Sequence, residues 1–299
     1  MRKRILTGIT TTGTPHIGNY IGAIRPALEL VAPDNDSYFF LADYHALIKQ
    51  IDPGEIEASV KNVALAWLSS GLDPSQSYFY RQSDIPEVQE LTWILNCSAA
   101  KGLLNRAHAY KAMVAENTES GSDDDKGINM GLFSYPILMA ADILIFNATH
   151  VPVGPDQAQH MEMTRDIAGK FNHTYSNILT IPEAIIKSEI SVPGNDGRKM
   201  SKSYNNIIPF LSTEKNLEKS IAKIITNSLE PGEPKDYKTC NLFQLYSFFA
   251  SAQELSNMKQ SYKDGIGWGD VKKDLFTAIN NEIIPIREKY NELKDKPDL

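Results

Sequence analysis

Two short segments of the 299-residue chain carry side chains whose types and spacing suit phosphate chemistry. In the first, Thr14-Pro15-His16-Ile17-Gly18-Asn19, a threonine followed by proline predicts a helix start, with Thr14 as N-cap and Pro15 at the first helical position. Residues three apart share a helix face, so His16 and Asn19 are expected on one side of the first turn. There they stand beside unsatisfied amide donors and the positive end of the helix dipole. Gly18 and Gly22 lack side chains, which lets a flat ring or another backbone approach closely. The rival reading is a capped helix with an ordinary surface histidine, and the segment alone leaves the two about even.

The second segment is Gly197-Arg198-Lys199-Met200-Ser201-Lys202-Ser203, which follows the glycine-bearing run Pro193-Gly194-Asn195-Asp196. Two lysines three apart beside serines read as a loop able to close over a polyphosphate. Cations placed there act more strongly on the charge developing on leaving pyrophosphate than on the ground state. For an isolated lysine pair a solvated basic loop is the commoner outcome.

The elements that must position these groups alternate in type. Arg4 to Ile9 reads as a short buried strand leading into the turn-rich Thr10-Thr11-Thr12-Gly13. A second strand, Ser37 to Ala42, ends at Asp43-Tyr44-His45. A helix is expected from about Glu55 to Ser70, stopping at Gly71, and Ser77 to Tyr80 is a third strand. A further strand, His150 to Val153, leads across Gly154-Pro155 to Asp156. Strands alternating with helices predict an α/β fold, a Rossmann-like doubly wound parallel sheet. In such sheets ligands bind beyond the carboxyl ends of the strands, where Thr10, Asp43, His45 and Asp156 fall. From about Thr213 the pattern is helical without clear strands, so residues 1–210 are expected to form the Rossmann-like domain, with a helical insertion, and 211–299 a C-terminal α-helical domain.

Composition bounds the function. With 42% hydrophobic and 22% charged residues the chain suits a globular protein with a sizeable core. No window approaches the roughly 18 apolar residues of a membrane span. Only Ile5-Leu6 separate the basic start from Thr7-Gly8, so no secretory leader is expected and the predicted location is cytoplasmic. Cys97 and Cys240 are far apart and lack metal-ligand spacing, which predicts thiols and no protein-built metal site. The net charge of −7 argues against a protein that coats itself in nucleic acid. From Leu211 onward 13 Lys and Arg face 14 Asp and Glu, which still allows RNA to be held on a local basic stripe.

A third segment, Phe133 to Leu144, is apolar and carries a single carboxylate. Tyr135, Met139 and Asp142 recur at i, i+4 and i+7, on one helical face. A buried Asp142 needs a donor. An indole N–H on a large apolar body would serve, and a phenylalanine ligand would leave the carboxylate unpaired. An aspartate pairing elsewhere in the core is the alternative, and a phenol hydroxyl is a second possible donor.

Taken in order, the first two segments resemble the paired signatures of class I aminoacyl-tRNA synthetases, the His-Ile-Gly-His type motif and the Lys-Met-Ser-Lys-Ser motif. A specified pentapeptide arises by chance in a chain of this length with odds on the order of one in ten thousand. Tyr-Pro-x-Leu-Met-Ala-Ala-Asp-Ile at Tyr135 to Ile143 and Val-Pro-Val-Gly-x-Asp-Gln-x-Gln-His at Val151 to His160 resemble the tryptophanyl branch of that class. The similarity runs from Ile5 to at least Ser203. It implies ATP-dependent activation of L-tryptophan and its transfer to tRNA(Trp), with Mg²⁺ bridging phosphate oxygens of ATP, in a homodimer without membrane attachment. Carried over, Asp142 would bind the indole nitrogen. Tyr135, Met139, Val151 and Val153 would wall the side chain, with His45 and Gln157 near the substrate's polar end. Thr10, Thr11, Thr12, Gly18, Asn19, Gly154, Pro155, Asp156, Ile190, Lys199, Met200, Ser201, Lys202 and Ser203 would line the ATP site, with Asp156 suited to ribose hydroxyls. His16, Asn19, Lys199 and Lys202 would act on the phosphates, and residues 211–299 would reach the tRNA anticodon.

Three departures limit what the resemblance implies. Asn19 replaces the second histidine of the general motif, as is common in the tryptophanyl and tyrosyl branches. Thr10-Thr11-Thr12 stands where many bacterial relatives have Gln-Pro-Ser, so no glutamine contact is expected there. The chain ends at Lys296-Pro297-Asp298-Leu299, sooner than the family pattern, which puts full anticodon recognition in question. The alternatives are a tyrosyl-tRNA synthetase, a small-molecule nucleotidyltransferase, and a catalytically silent synthetase-like RNA-binding or regulatory module. The nucleotidyltransferase would leave Lys199 to Ser203 unexplained, and intact His16, Lys199 and Lys202 speak against the silent module.

Overall fold

Five strands form one parallel sheet in the order β3-β2-β1-β4-β5, where β1 is Lys3–Thr10, β2 Asn35–Ala42, β3 Tyr78–Arg81, β4 His150–Val153 and β5 Glu183–Ile186. The computed structural model describes residues 2–49, 52–186 and 190–296; the closing Pro297 to Leu299 lie outside the described residues. Their contacts divide the chain into two compact units that interleave in sequence. Met1–Gly13, Glu29–Lys61 and Asp73–Glu189 form the first, and Thr14–Leu28, Asn62–Leu72 and Ile190–Leu299 the second.

The sheet belongs to the first unit. Ser37, Phe39, Phe40, Leu41 and Ala42 are all buried along β2, the near-continuous run expected of a parallel strand covered on both faces. β1 and β2 pair along their whole length, from Lys3 opposite Asn35 to Thr10 opposite Ala42. The order places the topological switch between β1 and β4, which pair through Ile5 and His150 at the first residue of β4. Pro152, two residues on, has no N–H to donate to a ladder. The four strands read from the sequence are present. The fifth, Glu183–Ile186, pairs along β4 from His150–Glu183 to Val153–Ile186. Its four residues after Pro182 are too few to show a period.

Helices Glu87–Ser98, Met130–Ile145 and Ala158–Thr174 pack together through Val88, Leu95, Ile137, Ala140, Ala141, Leu144, Met163 and Ile167. The other side of helix Met130–Ile145 sends Ile143 and Met139 into a cluster with Leu6 of β1, Phe40 of β2 and Val151 of β4. A helix covered on both sides must be apolar nearly all round, which explains why a single carboxylate stands out in it.

In the second unit helix Trp268–Asp295 buries Val271, Leu275, Ile279 and Ile283, each four residues after the last, against helices Glu214–Ala222 and Asn241–Ser247. Helix Glu214–Ala222 opens where the sequence pattern changes, with the Thr213 side chain accepting from the Asn216 N–H. The start of the first helix differs from expectation. Thr14 and Pro15 do not open it. His16 is the N-cap, in extended conformation, and Ile17 the first helical residue. The cause is backbone pairing: His16 bridges antiparallel to Pro209 and the Ile17 N–H donates to Ile208 O at 3.0 Å, which holds His16 itself extended. The helix continues through a π-helical turn, Tyr20–Ile24, of the kind often found at functional positions.

No helix among the described residues is long and apolar enough to cross a membrane. Leu275 is fully buried at the centre of its stripe, so Leu275→Ala is expected to cost about 2–5 kcal/mol by lost transfer energy and a cavity. Denaturant unfolding followed by circular dichroism would read this as a lower midpoint.

Candidate active site

The second unit joins the two signature segments directly. The Gly18 N–H donates to Met200 Sδ at 3.3 Å, and Met200 is buried while its neighbours Lys199 and Lys202 are exposed. The ring that Gly18 admits is that of His16: a Cβ on Gly18 would lie 3.0 Å from the imidazole and 3.4 Å from Met200 Cβ. Gly22 admits a backbone, since its Cβ would meet Ile190 O at an ordinary 3.9 Å. His16 and Asn19 do share the first turn, and Asn19 Oδ1 accepts the His16 backbone N–H at 3.0 Å. His16 Nδ1 is buried and has no hydrogen-bond partner among the described residues. Burial, and secondarily the positive charge of Lys202, lower the His16 pKa from 6.5 to about 4, so the imidazole is neutral at physiological pH.

The lysine loop is shaped by Asp196 and Asn206. Asp196 Oδ2 accepts from Arg198 Nε at 2.7 Å, and Asp196 Oδ1 accepts from the Arg198 N–H at 3.0 Å. Asn206, almost fully buried, donates to Asp196 Oδ1 at 2.7 Å and accepts the Ser201 N–H at 2.8 Å. Ser201 Oγ in turn accepts the Ser203 N–H at 3.3 Å. Gly197 has φ +85°, and a side chain there would also strike Asn241; here glycine is required. The serines of the motif are thus tied into the loop backbone, and both lysines are exposed.

In the first unit, residues at the carboxyl ends of the strands converge on Asp142, which is 2% exposed. Three consecutive residues after β2 contribute to this convergence. Asp43 accepts from the Ser83 N–H at 3.1 Å and from Ser83 Oγ. The Tyr44 N–H donates to Gln82 Oε1 at 3.0 Å. His45 Nε2 donates to Asp142 Oδ2 at 2.9 Å, since a carboxylate only accepts. Gln82, fully buried in the turn after β3, donates through Nε2 to Asp142 Oδ1 at 2.8 Å and Oδ2 at 2.9 Å. Burial raises the Asp142 pKa, and the hydrogen bonds from His45 and Gln82 oppose that rise.

Tyr135 lies on the same helix as Asp142. Its ring meets His45 edge-on at 6.3 Å between centroids and His160 at 5.0 Å. Its hydroxyl is hydrogen-bonded to His160 Nε2. His160 has its pKa lowered, chiefly through burial. Met139 and Val153 are half-buried against Val151 in one apolar cluster. Thr10 and Thr12 are exposed at the end of β1, while Thr11 is buried with its hydroxyl 3.4 Å from Ala42 O. Gly154, Pro155 and Asp156 follow the neighbouring strand β4; Asp156 is exposed and accepts from Gln157 Nε2 at 2.8 Å. A Cβ on Gly154 would lie 2.6 Å from the Asp156 carboxylate.

The structure therefore gathers Asp142, His45, Tyr135, Met139, Val151 and Val153 in the first unit, with Thr10 to Thr12 and Gly154 to Gln157. It gathers His16, Gly18, Asn19, Ile190 and Lys199 to Ser203 in the second. His45, expected near the substrate's polar end, contacts Asp142 directly. Gln82 escaped the sequence reading, although its place just after the third strand, at a carboxyl end, was the available signal.

The family model for tRNA synthetases class I (W and Y) matches residues 2–283, and the chain belongs to that family. It is 56% identical over 303 residues to a tryptophan–tRNA ligase of Pseudomonas aeruginosa, covering 100% of this chain and 68% of that protein. It is 55% identical to a tryptophan–tRNA ligase of Neisseria meningitidis, over 99% of this chain and 89% of that one. A crystal structure of tryptophanyl-tRNA synthetase from Campylobacter jejuni complexed with ADP and tryptophan superposes with TM-score 0.88 at 42% identity, covering 99% of this chain and 90% of that chain. A tyrosyl-tRNA synthetase from Aeropyrum pernix shares the fold, with TM-score 0.71 at 18% identity.

The His16 environment makes a pH prediction. The unfolded chain takes up a proton near pH 6.5 and the folded chain only near pH 4, so His16 favours the fold above pH 6.5 and that contribution is lost as pH falls toward 4. At pH 5 the loss amounts to about 2 kcal/mol. Proton NMR should show the His16 ring titrating near pH 4, and His16→Gln should lose less stability than the parent between pH 7 and pH 5.

Proposed function

We propose that the chain activates L-tryptophan with ATP to tryptophanyl adenylate and transfers it to tRNA(Trp). The observation that carries this reading is the contact of Gly18 with Met200, which sets the His16-Asn19 turn and the Lys199-Lys202 loop against each other in one unit. The identity with tryptophan–tRNA ligases over the whole chain supports the choice of amino acid. So does a buried carboxylate on an apolar helix, which suits the single donor of an indole.

In this reading a carboxylate oxygen of tryptophan attacks the α-phosphorus of ATP. The bond from that phosphorus to the bridging oxygen breaks, and pyrophosphate leaves with the negative charge. Lys199 and Lys202 stabilise that charge, neutral His16 and Asn19 hold phosphate oxygens at the helix turn, and Asp156 takes the ribose hydroxyls. The work is positioning and electrostatics, with no covalent step on the protein. Asp142 accepts the indole N–H, and Tyr135, Met139, Val151 and Val153 enclose the ring. In the second step the 2′-hydroxyl of the terminal ribose of tRNA attacks the activated carbonyl carbon and AMP leaves.

Among the described residues no cluster of three His, Cys, Asp or Glu side chains could hold a metal ion. On this reading Mg²⁺ would come with the nucleotide and would offset the negative charge of its phosphates. The helix Glu87–Ser98 exposes Trp93 and Ile94, by 71% and 47%, which supports a homodimer through that face. We place the enzyme in the cytoplasm, where tRNA is charged.

ATP–pyrophosphate exchange tests the reading. It should require tryptophan, with tyrosine failing to support it. Lys202→Ala should lower kcat by ~10²–10³-fold, the usual loss of one transition-state contact. Asp142→Ala should lower kcat/KM for tryptophan by at least ~10²-fold. Exchange driven by tyrosine, or no exchange with either amino acid, would overturn it.

A further inference from the structure

Gln82 makes no contact that the adenylation chemistry calls for, yet it is fully buried and spends its whole amide on two elements. Its oxygen accepts the Tyr44 N–H at 3.0 Å and its nitrogen reaches both oxygens of Asp142. A flipped amide would set nitrogen against the Tyr44 donor and oxygen against a carboxylate, so the orientation is fixed. The turn that carries it is itself pinned, because the next residue, Ser83, donates twice to Asp43. With His45 on Oδ2, three donor contacts are made to a carboxylate that has room for about four. Acceptor capacity is left on it.

We propose that Gln82 is a positioning residue for amino-acid selection: it holds the buried Asp142 carboxylate so that its remaining acceptor capacity requires a donor on the substrate. This rests on the reading of Asp142 as the acceptor of the indole N–H. A charged group held in place and left unpaired is costly, so a substrate without the N–H is rejected strongly. Without Gln82 the Asp142 carboxyl keeps only His45, takes a proton more readily and turns more freely. A neutral acid left unpaired costs less than a carboxylate, so discrimination falls even where binding of tryptophan is partly kept.

The test measures kcat/KM in ATP–pyrophosphate exchange for L-tryptophan and for its benzothienyl isostere, in which sulfur replaces the indole N–H. The parent protein, Gln82→Met, Asp142→Asn and the double variant are compared, with Gln82→Glu as a second replacement of similar volume that retains an acceptor for Tyr44. Gln82→Met and Gln82→Glu should each lower the preference for tryptophan by at least ~10-fold. The Gln82→Met effect should vanish in the Asp142→Asn background, as coupling through that carboxylate demands. An equal loss for both substrates, or a loss of preference that persists without the Asp142 carboxylate, would overturn the proposal and leave Gln82 a core residue. A parent protein that accepts both substrates alike, or an Asp142→Asn variant that keeps the parent preference, would instead overturn the reading of Asp142 and the proposal with it.

Discussion

A carboxylate at 2% exposure inside an apolar helix constrains everything around it. An isolated buried charge is too costly to keep, so Asp142 demands donors, and the chain supplies them from the ends of two strands. His45 comes from the turn after β2 and Gln82 from the turn after β3. Asp43 and Tyr44 tie those two turns to each other, closing a ring of hydrogen bonds across β2, β3 and helix Met130–Ile145. The order of the parallel sheet is what allows this, since neighbouring β2 and β3 end on the same side. A satisfied network of this kind is stiff, and stiffness is what a pocket needs if it is to tell one substrate from another by a single donor.

The two signature segments meet a different constraint. The first helix cannot begin at Thr14, because its N-terminal flank is paired in extended conformation with Ile208 and Pro209, which follow the lysine loop closely in sequence. The same strip of chain therefore anchors both signatures. Gly18 lets the His16 ring and Met200 close on the helix, and Asn206 gathers the loop's backbone groups. The neutrality of His16 follows from that enclosure: burial and the neighbouring Lys202 both act against its protonated form. In the proposed mechanism this leaves the positive charge on the lysines and gives histidine a hydrogen-bonding role.

Much of this was legible in the sequence, for identifiable reasons. The continuous apolar run of β2 and the i, i+4, i+7 face of Tyr135, Met139 and Asp142 are local signals, and both correspond to the elements found. The Lys199 to Ser203 loop was marked by glycine and charge together. What was not legible depended on partners distant in sequence. The helix start shifted because residues nearly two hundred positions later pair with it, which no local capping rule contains. β5 is four residues at a sheet edge, stabilised by pairing with β4 and not by its own pattern. Gln82 is an ordinary polar residue in sequence, and only the fold brings it to Asp142.

The central claim is that Asp142 accepts the indole N–H of the amino acid. L-Tryptophan labelled with ¹⁵N at the indole nitrogen, bound to the protein and observed by NMR, reports on that hydrogen directly. The account predicts an indole N–H resonance shifted downfield from that of the unbound amino acid and slow to exchange with water, with the shift reduced in Asp142→Asn. An indole N–H that exchanges freely and resonates alike in both proteins would contradict it.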